Sequence, residues 1–209
     1  MVNPIFHKVD LQELSSLNSE LSLYGFLGIE LALKSEDISS FDKDPDETSI
    51  FKMLNQKNIK AQSLHAPFID LSLASEDAFI FDYSLKVLLK SLAFAKNLQI
   101  PSMVFHLGFH PFLPLKKREK AYAILKEGLT YLNKEAKKAR IALLAENTYE
   151  KDFFYFEKLF SDFSDISMTL DVGHCHCFSD FSALQWQEAF QSQIKAYHFH
   201  DNNHKTDDH

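Results

Sequence analysis

Residues able to hold a divalent cation recur in this chain where hydrophobic runs end. They are Ser63-Leu64-His65-Ala66-Pro67, Val104-Phe105-His106-Leu107-Gly108, Leu144-Ala145-Glu146-Asn147, Leu170-Asp171-Val172-Gly173-His174, Tyr197-His198-Phe199-His200-Asp201 and the terminal Asp207-Asp208-His209. A buried strand has little use for an imidazole or carboxylate at its end unless that end opens onto a site, because unpaired buried polar groups are costly. One such residue is ordinary; a series of them predicts a polynuclear metal centre at the mouth of a parallel barrel. Mixed imidazole and carboxylate donors suit one to three Zn²⁺ or Mn²⁺ ions better than Ca²⁺ or a thiolate-preferring metal. Such ions polarise carbonyl or phosphoryl oxygens and lower the pKa of bound water toward ~7.

Each segment alone has a plainer reading. His65 or His106 can be a satisfied histidine at a strand end, Glu146-Asn147 a helix cap, and Asp171 to His174 a turn in which Asp bonds local backbone. Their recurrence favours the metal reading. His200 shares strand parity with His198 and is held open as a further contact. His110, His176 and His204 are read as surface or supporting residues, and Cys175 and Cys177 as reduced bystanders.

Elements that position these residues follow from the hydrophobic pattern. Leu11, Leu14, Leu17 and Leu21 predict a helix over 10–24, and Gly25-Phe26-Leu27-Gly28-Ile29-Glu30-Leu31 begins a buried strand over 25–33. A polar loop over 42–47 precedes a short helix to residue 57. Strands are predicted over 59–65, 103–106, 141–146, 166–171 and 194–200, with helices over 77–97, 115–140, 152–160 and 181–191 between them. Residues 4–8 supply a first strand, giving about seven. Apolar strands alternating with helices imply an α/β fold with a parallel sheet covered on both sides. The Gly-rich phosphate loop of a doubly wound sheet is absent. In a (β/α)8 barrel the strand ends converge on one face, so ligands from distant positions can meet.

Composition limits the alternatives. The 209 residues are 45% hydrophobic, with 20 Phe and 5 Gly, enough for one domain over 1–209 with an aromatic core. The net charge of −7 disfavours nucleic acid, which is usually met by a basic face. Lys116-Lys117-Arg118 and residues 134–140 flank one predicted helix, where the second cluster complements the helix dipole. No run approaches the ~20 apolar residues of a membrane span. Neither a secretory leader nor a disulfide framework is visible, so a cytoplasmic protein is expected.

Taken in order, these segments resemble the xylose isomerase-like TIM-barrel superfamily, which includes the sugar phosphate isomerase/epimerase group and endonuclease IV (AP endonuclease family 2). The resemblance runs from about Gly25 to His209. It implies Glu146 as the central carboxylate, moving the substrate proton in an isomerase or bridging metals in an endonuclease-like centre. Asp171 and His198 would complete the principal site, with His65 and His106 holding a second ion beside Glu146. His174, Asp207 and His209 would hold a third or contact substrate. The implied activity is divalent-metal-dependent isomerisation or epimerisation of a small sugar or sugar phosphate, the form of 198–202 being closer to that group. An endonuclease IV-like phosphodiesterase acting on abasic DNA is the alternative, and a non-catalytic truncated barrel a further one. The family pattern carries a glutamate on an eighth strand that has no counterpart here. The expectation is therefore a C-terminally short barrel, whose open edges a homo-oligomer would cover.

Overall fold

Near-continuous apolar runs become short strands, the inner ones buried on both faces. The computed structural model describes residues 6–17, 28–39 and 46–207. Its strands are β1 (Phe6–Asp10), β2 (Gly28–Ala32), β3 (Ala61–His65), β4 (Ser102–His106), β5 (Ala142–Glu146), β6 (Ser167–Asp171) and β7 (Ile194–His198). They lie in chain order in one seven-stranded parallel sheet. Helices α1 (Ser35–Ser39), α2 (Glu47–Gln56), α3 (Ala78–Asn97), α4 (Arg118–Ala139), α5 (Phe154–Asp162), α6 (Val172–Phe178) and α7 (Ala183–Phe190) connect them.

Side-chain alternation divides the sheet's two faces. Leu64, Met103, Phe105, Ala145, Met168 and Leu170 join the helix residues Leu92, Leu125, Leu129 and Leu159 in one core. The other face carries the polar strand ends. Trp186 is fully buried among Phe153, Phe156 and Phe190, and its indole N–H donates to Ser179 Oγ at 2.8 Å. Here the abundant phenylalanine serves to dock α5 and α7.

Register then sets the candidate site. His106 pairs with Glu146 and Asp171 with His198, so polar groups on adjacent strands stand side by side. The sheet also curls: Glu30 on β2 lies 3.1 Å from His198 on β7, although β3 to β6 separate them in the sheet order. This is barrel curvature, with β1 and β7 as the edges among the described residues.

The structure departs from the sequence expectations in particular places. The described part of the expected helix over 10–24 is not α-helical: β1 runs through Asp10 and a single 3-10 turn covers Leu11–Glu13. Asp10 keeps extended dihedrals (φ −65°, ψ 142°), and of Leu11, Leu14 and Leu17 only Leu14 is fully buried, an anchor that one turn provides. Residues 18–24 lie outside the described residues, as do the expected positions 4–5, 25–27 and 42–45. β7 ends at His198, two residues earlier than expected. Asp171 opens the short helix α6, its side chain accepting from the His174 N–H at 2.7 Å. No helix among the described residues is long and apolar enough to cross a membrane.

Candidate functional site

The polar strand ends converge on Glu146, buried at the end of β5. Its Oε2 lies 2.9 Å from His65 Nε2 and 3.1 Å from His106 Nε2, and its Oε1 lies 2.9 Å from His198 Nδ1. Asp171 Oδ1 faces His200 Nε2 at 3.1 Å, and His174 Nε2 faces Asp207 Oδ2 at 3.2 Å. Asp207 also approaches His200 at 3.5 Å. Thus His65, His106, Glu146, Asp171, His174, His198 and Asp207 meet around one cavity of about 1120 Å³. His209 lies outside the described residues.

Two imidazoles are held in fixed tautomers. His65 Nδ1–H donates to the Ala66 carbonyl at 2.9 Å, and His174 Nδ1–H donates to the Asn147 carbonyl at 2.8 Å. Their Nε2 atoms therefore face carboxylate oxygens as lone-pair donors unless an extra proton or a cation stands between. Burial pushes the His106 imidazole down to about 4, outweighing the pull of Glu146, so this ring is neutral near pH 7. Burial alone would raise the Glu146 carboxyl, but His198 and His106 outweigh it and hold the group well below the usual carboxylate range. At His198 the same balance holds: burial disfavours its charge, while Glu146 and Glu30 outweigh it and raise it well above the ordinary value.

These contacts pass a chemical test for a divalent cation. Among the described residues, four groups of three donors each have ligand atoms within 4.8 Å of one another: His65/His106/Glu146, Glu146/Asp171/His198, Asp171/His174/His200 and Glu30/His65/His198. The donors are nitrogen and oxygen, the set that suits Zn²⁺ or Mn²⁺. Cys175 is not among them; its buried thiol is pushed up to about 12 and receives the Asn147 side-chain N–H at 3.4 Å. Asn147 instead clamps β5 to β6, accepting from the Asp171 N–H at 2.7 Å and donating to the Asp171 carbonyl at 3.0 Å. It is not a helix cap.

Glu30 and His200 are the site residues that sequence reasoning left unassigned. The signal for Glu30 is a single charge inside the apolar run 25–33, and it sits in the middle of β2. His200 reaches Asp171 from beyond the strand end, so strand parity is not what places it. Gly173 makes room for it, since a Cβ there would collide with the His200 ring. Gly173→Ala is expected to displace His200 and lower bound-zinc stoichiometry at Asp171/His174/His200 while His65/His106/Glu146 keeps its ion. An overpacking cost of about 1–3 kcal/mol should accompany it. Elemental analysis of zinc-saturated wild type and variant checks this.

The cavity wall is aromatic. Phe68 stacks on His106 at 4.3 Å and meets His65 edge-on at 5.6 Å, while Phe178 flanks His174 and packs on Tyr149. Behind it lies Glu150, a buried carboxylate accepting from the Thr148 N–H at 2.6 Å. Burial raises its carboxyl above the ordinary 4.5. Between the unfolded and folded values the folded state holds the extra proton, so this group costs stability as pH rises through that interval. Glu150→Gln keeps the acceptor and removes the charge. Its stability gain over wild type should be absent at pH 4 and grow above pH ~4.5, as read by denaturant melts across pH.

The comparisons place this geometry among relatives. The family described as "Xylose isomerase-like TIM barrel" matches residues 19–209. No curated protein matches the sequence. Among solved structures, a Thermus thermophilus protein soaked with ZnCl₂ (TTHB071) superposes with TM-score 0.82 at 21% identity, covering 98% of this chain and 80% of that one. A D-tagatose 3-epimerase-like protein gives 0.77 at 18% identity, covering 97% and 79%. The 3-keto-D-glucoside 4-epimerase YcjR from E. coli gives 0.75 at 11% identity, covering 96% and 80%. With the family matched over most of its length and the barrel-like sheet in agreement, this chain belongs to the xylose isomerase-like TIM barrel family.

Proposed function

We propose that this protein is a divalent-metal-dependent isomerase or epimerase of a small sugar or sugar phosphate. The observation that carries the reading is Glu146, a carboxylate buried at the convergence of His65, His106 and His198 inside an aromatic-walled cavity. Structural neighbours titled as a D-tagatose 3-epimerase-like protein and a D-psicose 3-epimerase support the sugar assignment. A cation held by Glu146, Asp171 and His198 would polarise a substrate hydroxyl and its neighbouring carbonyl. Glu146 takes the proton from the carbon between them, its ionisation favoured by the flanking imidazoles. Phe68 offers an apolar face to the sugar's C–H groups and excludes water from the His106 side. The test is solvent-deuterium exchange at carbon, followed by NMR, over a panel of ketoses and sugar phosphates with Zn²⁺ or Mn²⁺ supplied. Exchange with at least one member is expected; none across the panel with metal-loaded protein overturns the assignment.

A second reading, an endonuclease IV-like phosphodiesterase, is favoured by the overlapping donor groups, which have room for more than one ion. Part of the basic clusters at 116–120 and 134–140 is engaged in ion pairs. Lys117 and Lys120 pair with Glu76, Arg118 with Asp152, and Lys137 with Asp165. Salt-sensitive binding and chelator-sensitive cleavage of an abasic duplex would reverse the order of the two readings.

A further inference from the structure

We infer that Glu30 is a positioning residue, which holds the outward nitrogen of His198 so that the other nitrogen is presented to Glu146 and Asp171. The inference rests on the metal-centre reading above and deepens it. His198 is the imidazole that joins the two sides of the curled sheet. Its Nδ1 faces Glu146 Oε1 at 2.9 Å and Asp171 Oδ2 at 3.8 Å, while its Nε2 lies 3.1 Å from Glu30 Oε1. The neighbouring imidazoles show what such an arrangement does. His65 and His174 each spend one nitrogen on a backbone carbonyl, of Ala66 and Asn147, and turn the other toward carboxylate. For His198 the equivalent acceptor is the Glu30 carboxylate, supplied from across the barrel.

The placement of Glu30 supports the same role. It is only 7% exposed, between Ile29 and Leu31 in the middle of β2, where an isolated carboxylate would be strongly disfavoured. His198 is the cationic partner that reaches it. The contact has ion-pair length but lies off the line of an ideal hydrogen bond. A carboxylate behind a metal-binding histidine fixes its tautomer and raises its basicity, and loss of such a partner typically lowers metal affinity 10–100-fold.

The alternative for this residue is direct ligation, because Glu30, His65 and His198 also form one of the three-donor groups. Substitution chemistry separates the two. In Glu30→Gln the amide oxygen can still accept from His198 Nε2–H but is a poor cation ligand. In Glu30→Leu both capacities go.

Zn²⁺ affinity is measured by chelator competition for wild type, Glu30→Gln and Glu30→Leu, with thermal melts of the metal-free proteins alongside. Imidazole ¹⁵N spectra of zinc-loaded wild type locate the His198 proton. Expected are affinity within about threefold of wild type for Glu30→Gln, a 10–100-fold loss for Glu30→Leu, and a protonated Nε2 on His198. Equal losses in both variants would make Glu30 a ligand and overturn the inference, as would unchanged affinity in Glu30→Leu. Should Glu30→Leu fail to fold, Glu30→Gln and the wild-type ¹⁵N spectrum decide, a proton on Nδ1 overturning it. Wild type that binds no zinc overturns the metal-centre reading itself, a result distinct from the others.

Discussion

Glu146→Gln is expected to lower turnover about 10²–10⁴-fold, the range that a positioned acid–base group contributes, while leaving the fold intact. The substitution conserves shape and one acceptor oxygen. It removes the negative charge that faces His65, His106 and His198. Since His65 is fixed with its proton on Nδ1, its Nε2 can accept from the new amide N–H, so this buried contact is exchanged rather than lost. In the metal-free fold the Glu146 charge also pairs with His198, whose imidazole it helps to raise well above the ordinary value, so its loss removes stability at neutral pH. The metal-free variant should therefore melt somewhat lower than wild type by circular dichroism, still in one cooperative transition. Carbon-bound deuterium exchange retained at wild-type rate would remove Glu146 from the proposed chemistry. A collapsed melt would instead make the residue structural.

What the sequence showed and what it hid have distinct physical origins. His65, His106, Glu146, Asp171 and His198 each end a strand, most of these being apolar runs buried on both faces. One-dimensional patterning therefore located both the strands and the groups at their ends. The helices α3 and α4 were likewise readable, because their apolar spacing extends over many turns. The short elements were not. The leucines at 11, 14 and 17 have helical spacing, yet the chain leaves β1 extended and makes a single turn, because only Leu14 needs burial. α6 escaped notice because its start depends on the Asp171 carboxylate capping His174, a bond that reads equally well as a turn. Glu30 escaped because its partner lies on β7: only curling of the sheet brings an apolar strand's lone carboxylate to His198. His200 depends on the absence of a side chain at Gly173, which is a three-dimensional fact.

The Glu30 omission has a general cause. Residues at strand ends are placed by local order and register, so sequence spacing carries them. Residues that act across the barrel are placed by curvature, which no short window encodes. The same distinction separates the donor groups. His65, His106 and Glu146 come from adjacent strands, whereas Glu30/His65/His198 closes the arc from β2 to β7. Disturbance of the sheet edges should therefore affect the second group before the first.

Removal of divalent metal is expected to lower the melting temperature by about 5–11 °C at neutral pH. That figure assumes free metal near 100 times its dissociation constant, which contributes about 2.7 kcal/mol, at about 2–4 °C per kcal/mol for a chain of this size. The difference between loaded and chelated protein should widen as pH rises. In the metal-free fold, burial opposes charge on His198, but Glu146 and Glu30 outweigh it and raise the group well above its ordinary 6.5. His174 is shifted the same way, burial being outweighed by Asp171, Glu146 and Asp207. A raised imidazole stabilises the fold fully below its unfolded value, and that contribution is lost as pH rises through its folded value. At pH 6 protons thus stabilise the chelated site and compete with the cation. Above the ordinary 6.5 this proton-derived support is progressively withdrawn, while the ligands become free for metal. Paired melts with zinc and with chelator from pH 6 to pH 8.5 read the effect. A gap that narrows with rising pH would mean that His198 and His174 do not exchange protons for metal, and a gap of zero throughout would mean that the cluster is held by its protons alone.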